Sequence, residues 1–293
     1  MKRPWTRHLA GAALALLALC LAGQAAARPP VWVVRDKDSE IVLFGSVHVL
    51  PPGLDWEPPA LAAALKSADD LWFELPIDAQ SEAETASLAS QTGVLGPDQS
   101  LFRLLTPADA ELLSRVAAAY DVSPAVLDRL KPWLAEIALA AGAYRKSGAD
   151  ADTGVEKAIS ALAAPTAKRQ AFETPAEQIA LLGGGPMDEQ IASLRQTARD
   201  MADEPDEFRI LLRAWLAGDV DTLAHEALEP LRKTSPALFK RLVTDRNARW
   251  VQVLDARMKG HGRTVVVVGV GHLIGPGGVP ARLRALGYSV TGP

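Results

Sequence analysis

The chain has 293 residues, a formal net charge of −4, a mean hydropathy of +0.07 and one cysteine, Cys20. A mildly acidic chain without basic clusters carries no electrostatic footprint for nucleic acid, and a lone cysteine leaves stability to a hydrophobic core rather than to disulfides. The length suits one large domain, or a sheet domain carrying an insertion.

The chain opens on basic residues, Lys2, Arg3 and Arg7, followed by an apolar stretch from Leu9 to Ala22 and by Ala25-Ala26-Ala27. This order describes a secretory signal peptide, residues 1–27, cleaved after Ala27, and not a membrane anchor. Leu19 before Cys20 is too bulky for lipoprotein processing. The expectation is a periplasmic or secreted bacterial protein with no transmembrane span in the mature chain, and no thiol chemistry once Cys20 is removed.

Ile41-Val42-Leu43-Phe44 is a non-alternating apolar run, the pattern of a strand buried on both faces. It ends in Gly45-Ser46-Val47-His48 and a Pro51-Pro52-Gly53 turn. A helix is expected from Pro59 to Ala68, then a strand Asp70-Leu71-Trp72-Phe73 ending at Glu74. The middle of the chain reads as helical. Thr106-Pro107 caps a helix to about Tyr120, Ser123-Pro124 opens another, and Lys131-Pro132 opens a third reaching about Tyr144. An amphipathic stretch runs from Gly154 to Ala164, and residues 168–173 form a candidate strand ending at Glu173.

Thr174-Pro175-Ala176-Glu177 has the capping-box form. Helices follow over 186–202, 204–217 and 219–228, and a long one runs from Ser235-Pro236 to about Gly260. Val265 to Val268 is then a second buried-strand run, ending in Gly269-Val270-Gly271-His272 and a Gly275-Pro276-Gly277 turn, with a helix Val279 to Leu286 and a last strand at Ser289-Val290. The fold expected is α/β, with a mixed, largely parallel sheet built from two terminal strand-turn-helix-strand units. Residues 28–80 and 262–293 are its sheet-forming ends, and 81–261 a mainly helical insertion.

The repeated Gly-x-x-His is the strongest functional signal. His48, Glu74, Glu173 and His272 each follow or end a strand, and parallel strands would bring all four to the sheet edge where ligands bind. Two imidazoles and one or two carboxylates can hold a divalent metal ion (Mn, Co or Zn), and a spare carboxylate can act as base. The metal candidates are His48, His272, Glu173 and Glu74. The catalytic candidates are Glu74, favoured over Glu173 as the catalytic carboxylate, His48, and Arg246, the last as partner of a developing anion. His225 and His261 read as surface residues, and Trp72, Trp133 and Trp215 as core. The chain lacks a Gly-x-Ser-x-Gly elbow, a phosphate-binding glycine loop and a His-Glu-x-x-His helix.

Phe44-Gly45-Ser46-Val47-His48, Glu74, Lys131-Pro132-Trp133, Thr153-Gly154-Val155-Glu156, Phe172-Glu173-Thr174 with Glu177-Gln178, Arg246-Asn247 with Trp250, and Val268 to Gly275 together resemble the TraB/GumN family. The resemblance implies a fold similar to the Tiki proteases, the erythromycin-esterase-like enzymes and the ChaN-like iron-related proteins. Its Tiki branch implies a metal-dependent peptidase in which both Gly-x-x-His motifs and a glutamate are essential. Two positions depart from the family pattern: Glu156 stands where Asp is usual, and Phe172 where Leu is usual. The reading is an exported metal-dependent hydrolase acting on a peptide or other small substrate. The alternative is a non-enzymatic periplasmic protein that binds a peptide, metal or haem-like ligand at the same edge, in envelope or polysaccharide physiology.

Overall fold

A computed structural model describes residues 28–149 and 154–293; the expected signal peptide lies outside the described residues. The strands are β1 (Val31–Arg35), β2 (Ser39–Ser46), β3 (Asp70–Phe73), β4 (Lys168–Ala171), β5 (Gly262–Gly269) and β6 (Ser289–Thr291). They form one sheet in the order β4-β3-β5-β2-β1-β6. β4, β3, β5 and β2 run parallel, and β1 pairs antiparallel with both β2 and β6. The sheet is therefore mixed and largely parallel, as expected, but β1, which the apolar runs did not single out, adds an antiparallel neighbour.

β5 and β2 lie side by side at the centre, with Phe44 opposite Val267 and Ser46 opposite Gly269. Ile41 to Phe44 and Val265 to Val268 are buried, as strands covered on both faces must be. The helices that matter for the site are α1 (Pro59–Leu65), α2 (Ala79–Gly93), α3 (Pro107–Ala119), α4 (Pro132–Lys146), α5 (Val155–Leu162), α6 (Pro175–Gly183), α7 (Met187–Asp203), α8 (Glu207–Ala217), α9 (Asp245–Met258) and α10 (Val279–Ala285). One core cluster surrounds the sheet and contains Trp215 and Trp250; a second joins the helices of the insertion through residues such as Leu113, Leu139 and Leu194.

Local chemistry sets the boundaries. Thr174 accepts from the Glu177 amide while the Glu177 carboxylate accepts from the Thr174 amide, so α6 begins with a complete capping box directly after Glu173, two residues past the end of β4. The long helix expected over 235–260 is not continuous α-helix. Pro236–Phe239 leads into a π turn, Lys240–Thr244, before α9 starts at Asp245. A second π turn, Ala224–Leu228, interrupts the helix expected over 219–228.

Candidate functional site

The carboxyl ends of the four parallel strands place Glu173, Glu74, His272 and His48 in that order along one edge of the sheet. The two glycines of the repeat make this approach possible. A Cβ at Gly45 would lie 2.8 Å from Cγ2 of Val270, so the first copy has to be bare where the second crosses it. A Cβ at Gly269 would lie 3.3 Å from Glu74 Oε1, 3.8 Å from His272 Cδ2 and 3.8 Å from His48 Nε2. Glu74 Oε1 and His48 Nε2 thus face one point beside Gly269, with only a carbon edge of the His272 ring next to it.

At the centre of the cluster stands Arg246, from the first turn of α9 and 7% exposed. Nε and Nη2 donate to the two oxygens of Glu173 at 2.7 and 2.9 Å, a bidentate pair. Nη2 also donates to Glu74 Oε2 at 2.5 Å, and Nη1 donates to Leu242 O at 3.2 Å and to His272 Nε2 at 3.0 Å. The guanidinium lies over the Trp250 ring, 4.7 Å from its centroid. All five N–H donors are taken. As the side chain stands, all five are spent on protein acceptors, and the guanidinium ties Glu173, Glu74 and His272 together.

Leu242 lies in the π turn before α9. There the Asp245 amide reaches back to Lys240 O, a spacing of five residues.

His272 accepts from Arg246 at Nε2, so its proton lies on Nδ1 and is donated to Asn247 Oδ1 at 2.7 Å. The Asn247 amide nitrogen is held in turn by the carbonyls of His272 and Gly277. Burial lowers the His272 pKa to about 4, against the pull of Glu74, so the ring is neutral at neutral pH. For Glu74, burial opposes ionisation. The His272 ring, the Arg246 guanidinium, the His48 ring and the Gly269 amide, which donates to Oε1 at 2.7 Å, outweigh it and hold the pKa at about 2. A carboxylate so stabilised is a weak base.

His48 sits differently. Its side chain is 70% exposed, and Nδ1 lies 2.9 Å from Glu156 Oε1, which also accepts from Ser46 Oγ at 2.6 Å. The Glu156 carboxylate, through charge and hydrogen bond, raises the His48 pKa above its ordinary value, and solvent moderates the shift. Burial would raise Glu156, but the His48 charge and the His48 and Ser46 hydrogen bonds keep it lowered. Glu156, in the first turn of α5, belongs to the Thr153 to Glu156 motif but is not among the candidate site residues, because it stands where the family pattern has Asp. His48, Glu74, Glu156, Lys157, Gln178 and Ile77 line a cleft of about 290 Å³ at this edge.

The four residues expected to bind a metal do not surround a common open position. Glu173 spends both oxygens on Arg246, His272 Nε2 faces the same guanidinium, and that positive charge would repel a cation. Among the described residues no group of three or more His, Cys, Asp or Glu is placed to hold a metal ion. The residues present therefore do not fit such an ion as they stand. His225, with a side chain 72% exposed, and His261 lie at the surface as expected. Trp133 and Trp215 are buried, while Trp72 is half-buried against Phe172. No described helix is long and apolar enough to cross a membrane.

A family model described as the TraB/PrgY/gumN family matches residues 30–292. No curated protein and no solved structure matches the chain.

Proposed function

Since the chain belongs to the TraB/PrgY/gumN family, we propose that it is an exported hydrolase, with a peptide bond as substrate and His48 as general base. The observation that carries this reading is the setting of the His48 ring. Glu156 holds Nδ1, and Nε2 is directed to the point beside Gly269 that Glu74 Oε1 also faces, at the mouth of an open cleft. An imidazole oriented by a carboxylate, with its second nitrogen accessible, is arranged to take a proton from water.

A water between His48 Nε2 and Glu74 Oε1 loses its proton to His48 as its oxygen bonds to the carbonyl carbon. The proton then passes from His48 to the leaving amine as the C–N bond breaks. Glu156 keeps the ring in orientation and stabilises the imidazolium. Glu74, ionised, adds a second negative charge to that stabilisation, and Arg246 with Glu173 fixes it in place. A bound Mn, Co or Zn ion would supply Lewis-acid polarisation of the carbonyl, but the donor set as placed does not fit one and no step is assigned to it.

The test is turnover of a peptide library by the wild type, with and without chelator, and by His48→Ala. The expected result is hydrolysis that chelation does not change and that His48→Ala lowers by ~10²–10⁴-fold. Loss on chelation, with recovery on adding Mn²⁺, Co²⁺ or Zn²⁺, would replace the general-base reading by a metal-dependent one. Peptide retained without turnover would make the chain a binding protein.

A further inference from the structure

A second, small cavity of about 80 Å³ lies among α4, α6, α7 and the π turn before α9, with Trp133, Glu136, Leu182, Gln190, Leu238 and Arg241 in its wall. It shares only α6 with the His48 cleft: Gln178 lines the cleft, and Leu182, one turn on, lines the cavity. Two oxygens in its wall, Glu136 Oε1 and Gln190 Oε1, are buried and have no hydrogen-bond partner.

Neither oxygen is idle by freedom of rotation. Gln190 is 8% exposed, and its amide nitrogen donates to the carbonyls of Gly183 and Gly185 at 3.2 and 2.7 Å, which fixes the oxygen as the atom left over. Glu136 is held at its other oxygen by Ser193 Oγ, 3.2 Å away. The nearby Arg241 is committed elsewhere, to Leu181 O and to Glu189. Glu136 therefore has a buried carboxyl without a cation, and burial pushes its pKa up to about 7. Buried acceptors are nearly always satisfied, so two in one cavity mark a place for a donor.

The geometry points to a binding site for a primary alkylammonium group in this cavity, with its N–H donors on Glu136 Oε1 and Gln190 Oε1. The positive charge matches the unpaired carboxylate, the Trp133 indole offers an aromatic wall to a cation, and Leu182 and Leu238 suit a short alkyl stem. A space of about 80 Å³ suits an ammonium head on a short alkyl stem. A water could satisfy the oxygens without supplying the charge, and that difference makes the site testable.

Calorimetric titration of the mature chain above pH 7 with n-propylammonium chloride, 1-propanol and tetramethylammonium chloride is the measurement. Propylammonium is expected to bind saturably, and Glu136→Gln, isosteric and uncharged, to weaken it by roughly tenfold or more. Propanol, which lacks the charge, and tetramethylammonium, which lacks the donors, are expected not to bind. Nα-acetyl-lysine amide binding as well as propylammonium assigns the group to a lysine side chain; its failure assigns it to a free amine, and either result upholds the site. Circular dichroism checks that Glu136→Gln is folded, and Gln190→Met gives a second variant. No saturable binding to the wild type, equal binding to a folded Glu136→Gln, or propanol binding as well as propylammonium would overturn the proposal.

Discussion

His48 and His272 carry the same motif and have opposite characters, because their partners differ. His272 is buried with a guanidinium on one nitrogen and an amide oxygen on the other, so it is held neutral. His48 is exposed beside the Glu156 carboxylate, which favours its charged form. A base must be neutral to act, so the rate should climb with pH through a His48 pKa that lies above 6.5. Glu156→Gln removes the charge that raises it. The rising limb of kcat/KM should then move to lower pH, with a smaller plateau because the ring is less well oriented; an unchanged limb would show that Glu156 does not set the His48 charge. Arg246 gives a second test at this scale. Replacing it by Met leaves Glu74 buried without its guanidinium and Glu173 with only the more distant Arg249, 3.4 Å away, and breaking a buried pair from one side costs ~3–5 kcal/mol. Urea unfolding of Arg246→Met should show a loss of about that size, larger than for a surface arginine such as Arg115, whose pair with Glu111 is exposed.

Among the elements, those that carry the site were legible wherever chemistry is local. Two β-branched runs ending in Gly-x-x-His gave β2 and β5, and Thr174 with Glu177 gave the start of α6 and hence the position of Glu173. The cap is testable: Thr174→Ala removes the oxygen that accepts from the Glu177 amide and should cost ~1 kcal/mol, read as a shift in the urea midpoint. What was not legible depends on distance. β1 shows the alternation of a strand only weakly and is fixed by pairing with β2 and β6. The π turns leave no trace in the apolar pattern, since helix periodicity tolerates one extra residue. The saturation of Arg246 follows from five acceptor atoms on four residues from four segments, which no spacing along the chain reveals.

At the scale of the whole molecule, the buried cluster ties stability to pH. The folded pKa of His272 is about 4 against an ordinary 6.5. The unfolded chain therefore takes up this proton first, and the contribution is complete above about 6.5 and lost as pH falls towards 4. Glu74, at about 2 against 4.5, adds stability that is present above 4.5 and lost as pH falls towards 2. Measured against a folded His272→Gln variant, in which the contributions of Glu136 and His48 cancel, the wild-type urea midpoint should fall between about pH 6.5 and pH 4. A wild-type midpoint that keeps a constant offset from the folded His272→Gln variant between pH 7 and pH 5 would mean that His272 is not held neutral.

The π turn at Lys240–Thr244 also acts as a spacer in angle. One residue more than an α-helical repeat turns everything after it by about 100° about the helix axis. Before the turn's end, Arg241 faces the small cavity and holds Glu189; after it, Arg246 faces the sheet edge and holds both glutamates. Deleting Val243 should restore plain α-helix and leave one of these two arginines a quarter-turn out of phase with its partners. A Val243 deletion that kept both ion networks would show that the extra residue sets no phase. The expected outcome, seen in a crystal structure of the deletion variant, is that one network forms and the other is broken.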